Sequence, residues 1–103
     1  MVEKSILVVD SHPASRNYLA NLLKAKEFKV LHAPTGKEGL ITAWRDVPDL
    51  VLFDPALADI SDQEFIQKLR NDPRTSRTPL VALSSDPGHW TFAYFQRDHG
   101  QTC

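Results

Sequence analysis

Two aspartates, Asp10 and Asp54, each close a short apolar run and could together hold a cation. Asp10 follows residues 6–9, and Asp54 follows Leu50–Phe53. Continuous apolar runs of this length are typical of parallel strands that are covered on both faces. Because open α/β sheets bind ligands beyond the carboxyl ends of their strands, we expect both carboxylates at one edge of a sheet.

The chemistry of such a pair depends on what lies between the two carboxylates, which repel one another unless a cation separates them. Mg²⁺ prefers carboxylate, carbonyl and water oxygens, and its charge would neutralise an incoming phosphoryl group that one aspartate attacks. Ser84 ends a third apolar run and would place a hydroxyl at the same edge. The alternative is that the aspartates only cap the helices that follow and that Ser84 belongs to an ordinary turn.

The rest of the sequence predicts the elements that position these side chains. The predicted strands are residues 6–9, 28–32, 49–54 and 79–84, and the predicted helices begin near Ala14, Thr35, Ser61 and Asp86. Thr35 and Ser61 open capping boxes, each with a glutamate three residues later. The last helix is predicted to run to Gly100. Strict alternation of strand and helix indicates a parallel sheet with helices on both faces and right-handed crossovers.

The composition limits the classes of function. With 103 residues, 42% of them hydrophobic, we expect one domain that covers residues 1–103. A net charge of -1 gives no basic surface, so neither nucleic acid nor a membrane is expected as a direct partner. No apolar run reaches the roughly 20 residues that span a bilayer. The single cysteine, Cys103, suits a reducing, cytoplasmic location.

Three sequence motifs, taken together and in their order along the chain, resemble the receiver domain of two-component response regulators. They are residues 6–13 with Arg16, residues 49–54, and residues 78–84. The resemblance extends from about Ser5 to Gly100. It implies an α/β fold of the flavodoxin-like, doubly wound type, with a parallel sheet in the strand order 2-1-3-4.

The resemblance also implies a function and a site. Asp54 would be the phosphoacceptor, receiving a phosphoryl group from a phosphohistidine of a sensor histidine kinase or phosphotransfer protein, with Mg²⁺ as cofactor. The ion would be held by Asp10, Asp54 and the backbone carbonyl of Ala56. Ser84 would be the switch hydroxyl that carries the change to the surface. Such a domain is a signalling phosphoacceptor rather than an enzyme.

Three departures from the family pattern matter. One is the loop after Asp54, which has Ala58 where a proline is expected and Asp62 where a glycine is expected. Ser11 stands where a second acid is usual, and a neutral hydroxyl is a weaker ligand, so affinity for Mg²⁺ should fall. The family's fifth strand, its lysine and the fifth helix are expected to be missing, because the sequence reaches Cys103 about where that strand would begin. The fourth strand would then be an exposed apolar edge. A homodimer could form through that edge or through the aromatic segment 89–95.

These departures leave a second hypothesis open. The chain could be a degenerate pseudo-receiver that acts as a phosphorylation-independent protein-interaction module. The four histidines, His12, His32, His89 and His99, show no metal-ligand spacing, and we expect them to be solvated or structural.

Overall fold

The computed structural model describes residues 3–83 and the backbone of a short strand at Tyr94–Gln96. In chain order the elements are β1 (Ser5–Val9), α1 (Pro13–Ala25), β2 (Lys29–Ala33), α2 (Gly36–Asp46), β3 (Leu50–Phe53), α3 (Asp62–Arg70), β4 (Leu80–Ala82) and β5 (Tyr94–Gln96). The strands form one sheet in the order β2-β1-β3-β4-β5. The first four are parallel, which confirms the predicted α/β fold and the order 2-1-3-4.

The core lies on both faces of this sheet, because successive side chains of β1 point in opposite directions. Leu7 and Val9 belong to a cluster formed with α2 and α3, whereas Ile6 and Val8 belong to a cluster formed with α1. All four are buried. The helical side chains of the two clusters are Leu40, Ala43, Phe65 and Leu69 on one face, and Leu19 and Leu23 on the other. Burial on both faces explains why the strands read as continuous apolar runs.

Side-chain caps fix where two of the helices begin. The hydroxyl of Thr35 accepts a hydrogen bond from the backbone N–H of Glu38 at 3.1 Å, and Ser61 accepts one from Glu64 at 3.1 Å. Both bonds satisfy amides that have no partner within the helix. The two predicted helix starts are therefore confirmed.

Asp59, in the loop after β3, provides a second cap for α2. Its two carboxylate oxygens accept hydrogen bonds from the backbone N–H groups of Gly36 and Lys37, both at 2.9 Å. Burial pushes the pKa of Asp59 upward, but these backbone hydrogen bonds outweigh it and hold the pKa below its ordinary value. The contact ties the loop that follows β3 to the start of α2.

The C-terminal region differs from the sequence prediction. A helix from Asp86 to Gly100 is wrong at Tyr94–Gln96, which forms β5 and pairs antiparallel with β4. Aromatic residues favour strands, and the free backbone groups along an apolar edge favour pairing. In this structure β4 is therefore not an exposed edge, and the homodimer expected through that edge is not supported. The rest of the predicted helix, including most of the segment 89–95, lies outside the described residues.

No helix in the described part of the chain is both long and apolar enough to cross a membrane.

Candidate functional site

The register of the central strands places Asp10 and Asp54 side by side. Val9 of β1 is paired with Phe53 of β3, and each is followed by one of the aspartates. The backbone N–H of Asp54 donates to the carbonyl of Val9 at 2.9 Å, so the pairing extends to the point where the carboxylates begin. As predicted, both aspartates lie at the carboxyl edge of the sheet.

The carboxylate of Asp54 is held in a fixed orientation at this edge. Its Oδ1 accepts a hydrogen bond from the backbone N–H of Ala56 at 2.9 Å, and its side chain is 13% exposed. This bond turns the chain sharply after β3, as an aspartate does when it accepts from the residue two positions on. The carboxylate therefore has one oxygen engaged by the backbone and keeps a narrow opening to solvent.

Asp10 is the more deeply buried of the two, with its side chain 6% exposed. Its N–H donates to the carbonyl of Ala33 at 3.1 Å, and its carbonyl accepts from the guanidinium of Arg16 at 2.7 Å. Its Oδ1 accepts from the backbone N–H of His12 at 2.9 Å. Contacts from β2 and from α1 thus fix the backbone of Asp10, and the contact from the intervening turn orients its carboxylate.

His12 completes the cluster, and the sequence interpretation missed it. Its Nδ1 lies 3.2 Å from Oδ1 of Asp10 and 3.7 Å from Oδ2 of Asp54. One ligand atom from each of these three residues lies within 4.8 Å of the others. The sequence shows no metal-ligand spacing for His12, yet the fold brings its Nδ1 beside both carboxylates. The available signal was its position two residues after Asp10 and directly before Pro13, where a turn folds the side chain back over the sheet edge.

The other predicted site residues are Ser11, Ala56 and Ser84. Ser11 is exposed and stands between two members of the cluster in the chain. The N–H of Ala56 donates a hydrogen bond to the carboxylate of Asp54. That the carbonyl of Ala56 is a metal ligand stays a prediction. Ser84 lies outside the described residues. The residue before it, Leu83, donates its N–H to the carbonyl of Phe53 at 2.9 Å, so the described chain reaches the same edge of the sheet.

The donor atoms of the cluster fit a divalent cation. Two ligands that each lie about 2.1 Å from one ion can be at most about 4.2 Å apart. The distances from Nδ1 of His12 to the carboxylates of Asp10 and Asp54, 3.2 and 3.7 Å, satisfy this limit, and all three ligand atoms lie within 4.8 Å of one another, so a small shift of the side chains would let one ion reach all of them. Two carboxylates would also balance the charge of one divalent ion. The residues present therefore suit a divalent metal, with the addition of a nitrogen donor that the sequence interpretation did not include.

The start of α1 adds positive potential beside the carboxylates. The helix begins at Pro13, directly after His12, and carries no acidic residue in its first turn. The partial positive charge at a helix N-terminus stabilises anions nearby. Arg16, whose guanidinium contacts the carbonyl of Asp10, lies in the same turn. This arrangement offsets the repulsion between the two carboxylates and favours negative charge at the sheet edge.

Comparisons with known proteins agree with this geometry. A family model described as the response regulator receiver domain matches residues 6–93. Histidine kinase P4 of Formosa agariphila is 36% identical over 84 residues, which is 81% of this chain and 6% of that protein. Response regulator PleD of Caulobacter vibrioides is 34% identical over 83 residues, which is 81% of this chain and 18% of that protein. The chain thus spans only a small part of either relative.

A solved structure shows the same fold. The receiver domain of a sensor histidine kinase from Pseudomonas aeruginosa superposes with a TM-score of 0.77 at 21% identity, covering 82% of this chain and 70% of that one. That structure has a magnesium ion coordinated in its active site cleft. The family match covers most of the chain, and the paired aspartates lie at the sheet edge where the sequence motifs predict them. The chain belongs to the response regulator receiver domain family and is a receiver domain of two-component signalling.

Proposed function

We propose that Asp54 accepts a phosphoryl group from a phosphohistidine of a sensor histidine kinase or a phosphotransfer protein. The observation that carries this proposal is the position of the Asp54 carboxylate, which is oriented by Ala56 and lies within a few ångströms of a second carboxylate and an imidazole. Family membership supports the same assignment, and one relative is itself a histidine kinase.

The residues around Asp54 suit attack on phosphorus. In the transfer, a carboxylate oxygen of Asp54 forms a bond to phosphorus while the bond from phosphorus to the donor's imidazole nitrogen breaks, and that nitrogen keeps the electron pair. A divalent cation held by Asp10 and Asp54 would offset the negative charge of the phosphoryl group. The hydrogen bond from Ala56 orients the nucleophile, and the near-complete burial of Asp10 keeps the second carboxylate rigid. The relative with a magnesium ion in its cleft makes Mg²⁺ the first ion to test.

The later steps of the proposal rest on the resemblance. Ser84 would act as the switch hydroxyl, and the carbonyl of Ala56 would be a further ligand of the ion. The support for Ser84 is that β4 is paired with β3 up to the residue before it.

The proposal is tested by intact mass measurement after incubation with Mg²⁺ and a small acyl phosphate. We expect the mass of a single phosphoryl group to be added, and this addition to disappear in Asp54→Asn. Asp49→Asn is the matched control, because Asp49 precedes the same strand at its opposite end, where it accepts a hydrogen bond from Ser5 at 2.8 Å. No gain in mass, or a gain that persists in Asp54→Asn, would refute the proposal.

A second function is favoured by one specific observation. Nδ1 of His12 lies 3.2 Å from Asp10 and 3.7 Å from Asp54, so the ring could occupy the space beside both carboxylates in place of a metal ion. With the neutral Ser11 in place of an acid, the domain would then bind partners without phosphorylation. A folded protein that neither gains a phosphoryl group nor responds to divalent metal ions in its NMR spectrum would support this alternative.

A further inference from the structure

We propose that His12 is a direct ligand of the cation at this site and that it gives the site a preference for first-row transition-metal ions that bind imidazole nitrogen. The ion would be held by Nδ1 of His12 together with the carboxylates of Asp10 and Asp54. This inference deepens the proposed function and rests on it, because it concerns the same pocket.

The backbone of His12 is held so that its ring stays over the sheet edge. Its N–H donates to Asp10 at 2.9 Å, and its carbonyl accepts from the N–H of Arg16 at 3.0 Å. Pro13 follows, and its ring restricts the backbone there. The backbone thus places the imidazole beside the two carboxylates, and Nδ1 lies within hydrogen-bond distance of Oδ1 of Asp10, at 3.2 Å.

The side chain also has room to complete a metal site. The imidazole is 70% exposed, whereas the two carboxylates are 6% and 13% exposed. An ion could therefore enter from solvent past the ring without opening the core, and small rotations of the ring could adjust its distance to both oxygens. A deeply buried histidine would not allow this.

The chemistry of the donors determines which ions they prefer. The position after Asp10 holds Ser11, a neutral hydroxyl, so the third strong donor at this edge is a nitrogen rather than an oxygen. Mg²⁺ prefers oxygen ligands and binds nitrogen poorly, whereas imidazole is a good ligand for zinc, iron and related ions. Two carboxylates and one neutral imidazole also cancel the charge of a divalent ion.

His12 could instead be only a hydrogen-bond partner of the aspartates, and the two roles have opposite consequences. If His12 is a ligand, its removal weakens the binding of a nitrogen-preferring ion. If His12 merely occupies the space between the carboxylates, its removal relieves a competitor and strengthens the binding of every divalent ion. The effect of one substitution on two metals therefore separates the two roles.

The test is calorimetric titration of the whole chain with Zn²⁺ and with Mg²⁺, in a Cys103→Ser background because a thiolate is itself a strong zinc ligand. Zinc binds most sites more tightly than magnesium, so the decisive quantity is the change that His12→Asn causes for each ion. We expect that substitution to weaken zinc binding about tenfold or more and to change magnesium binding by less than about twofold.

His32→Asn is the matched control. His32 is a histidine of β2, and its pKa is lowered by partial desolvation of its ring and by the nearby charges of Lys24 and Arg16. It does not belong to the cluster with the two aspartates. We expect His32→Asn to leave both affinities unchanged, and ¹⁵N spectra of labelled histidine to show zinc-dependent shifts of the His12 ring that Mg²⁺ does not produce.

The outcomes distinguish this inference from the proposed function. The inference is overturned if His12→Asn leaves zinc binding unchanged or strengthens it. It is also overturned if neither ion binds to the parent chain. Phosphorylation of Asp54 with Mg²⁺ in both the parent chain and His12→Asn would leave the proposed function standing in that case. Zinc binding that depends on His12, without phosphorylation under any metal, would support the inference and refute the proposed function.

Discussion

At the scale of single residues, Val47 adopts a backbone conformation that its side chain disfavours. It caps the C-terminus of α2 with φ 44° and ψ 71°, in the left-handed region. A β-branched residue is rare there because its Cβ approaches the following carbonyl, and the proline at position 48 restricts the preceding residue further. The side chain is 44% exposed, so little packing compensates for this strain.

We therefore expect Val47→Asn to stabilise the domain by about 1 kcal/mol, since asparagine tolerates the left-handed region at lower cost. Urea denaturation would measure the change in the free energy of unfolding. Ile41→Asn is the control, because Ile41 is also an exposed β-branched residue of α2 but has a helical backbone. That control should lose stability. If both substitutions have the same effect, strain at Val47 is not the cause.

The sequence predicts two members of the site better than the third. Asp10 and Asp54 follow strands whose apolar runs are unambiguous, so their place at the sheet edge follows from parallel pairing. His12 lies in a turn, and its approach to both carboxylates depends on a backbone bond to Asp10 that no periodicity encodes. The pattern of residues fixes strand ends, whereas the direction of a side chain in a loop depends on local hydrogen bonds.

At the scale of elements, the position of the site depends on how closely α2 packs against β1. A Cβ added at Gly39 would lie 2.8 Å from one methyl carbon of Val9 and 3.0 Å from the other. Val9 is fully buried and directly precedes Asp10. The absence of a side chain at Gly39 thus allows the helix to lie against the strand that carries one of the two carboxylates.

We expect Gly39→Ala to destabilise the domain by about 1–3 kcal/mol through overpacking, although alanine favours helices. Val9→Ala alone should also destabilise it, by creating a cavity. In the double variant the added methyl group occupies the space that Val9 vacates, so the loss should be smaller than the sum of the two single losses. Thermal and urea denaturation of all four proteins would measure this coupling. Strictly additive losses would show that the contact between Gly39 and Val9 does not limit the packing.

Elements with strong local signals agree with the sequence prediction, and the exception is informative. Capping residues locate the starts of α2 and α3, apolar runs locate β1, β3 and β4, and a weak alternation of apolar and polar residues locates β2. Tyr94–Gln96 carries apolar residues at spacings that suit either a helix or a strand. Its pairing with β4 is decided by the free edge of the sheet, which is a property of the assembled fold and not of the segment itself.

At the scale of the whole molecule, acid stability depends on carboxylates whose pKa is lowered in the folded state. The side chain of Arg74 holds the pKa of Asp72 at about 2, below the ordinary value of 3.8, through contacts of 2.8 and 3.0 Å. The pKa of Asp59 is lowered as well, by the amides at the start of α2. In the unfolded chain these groups bind protons at a higher pH than in the folded state.

The contribution of Asp72 to the free energy of unfolding decreases at acid pH. The stabilisation from Asp72 is fully present above the unfolded pKa of 3.8 and is lost as the pH falls through the folded pKa of about 2. We expect the free energy of unfolding to decrease over this interval and Asp72→Asn to flatten the decrease, which urea denaturation at a series of pH values would measure. Arg74→Met should flatten it less than Asp72→Asn does, because the backbone N–H of residue 74, which donates to Asp72 at 2.9 Å, also lowers this pKa and is kept in that variant. The double variant should flatten it no further than Asp72→Asn alone, because both residues belong to one interaction. If neither variant changes the slope of the free energy of unfolding against pH, or if their effects are additive, this pair does not govern acid stability. The contribution would then come from other carboxylates, such as Asp59.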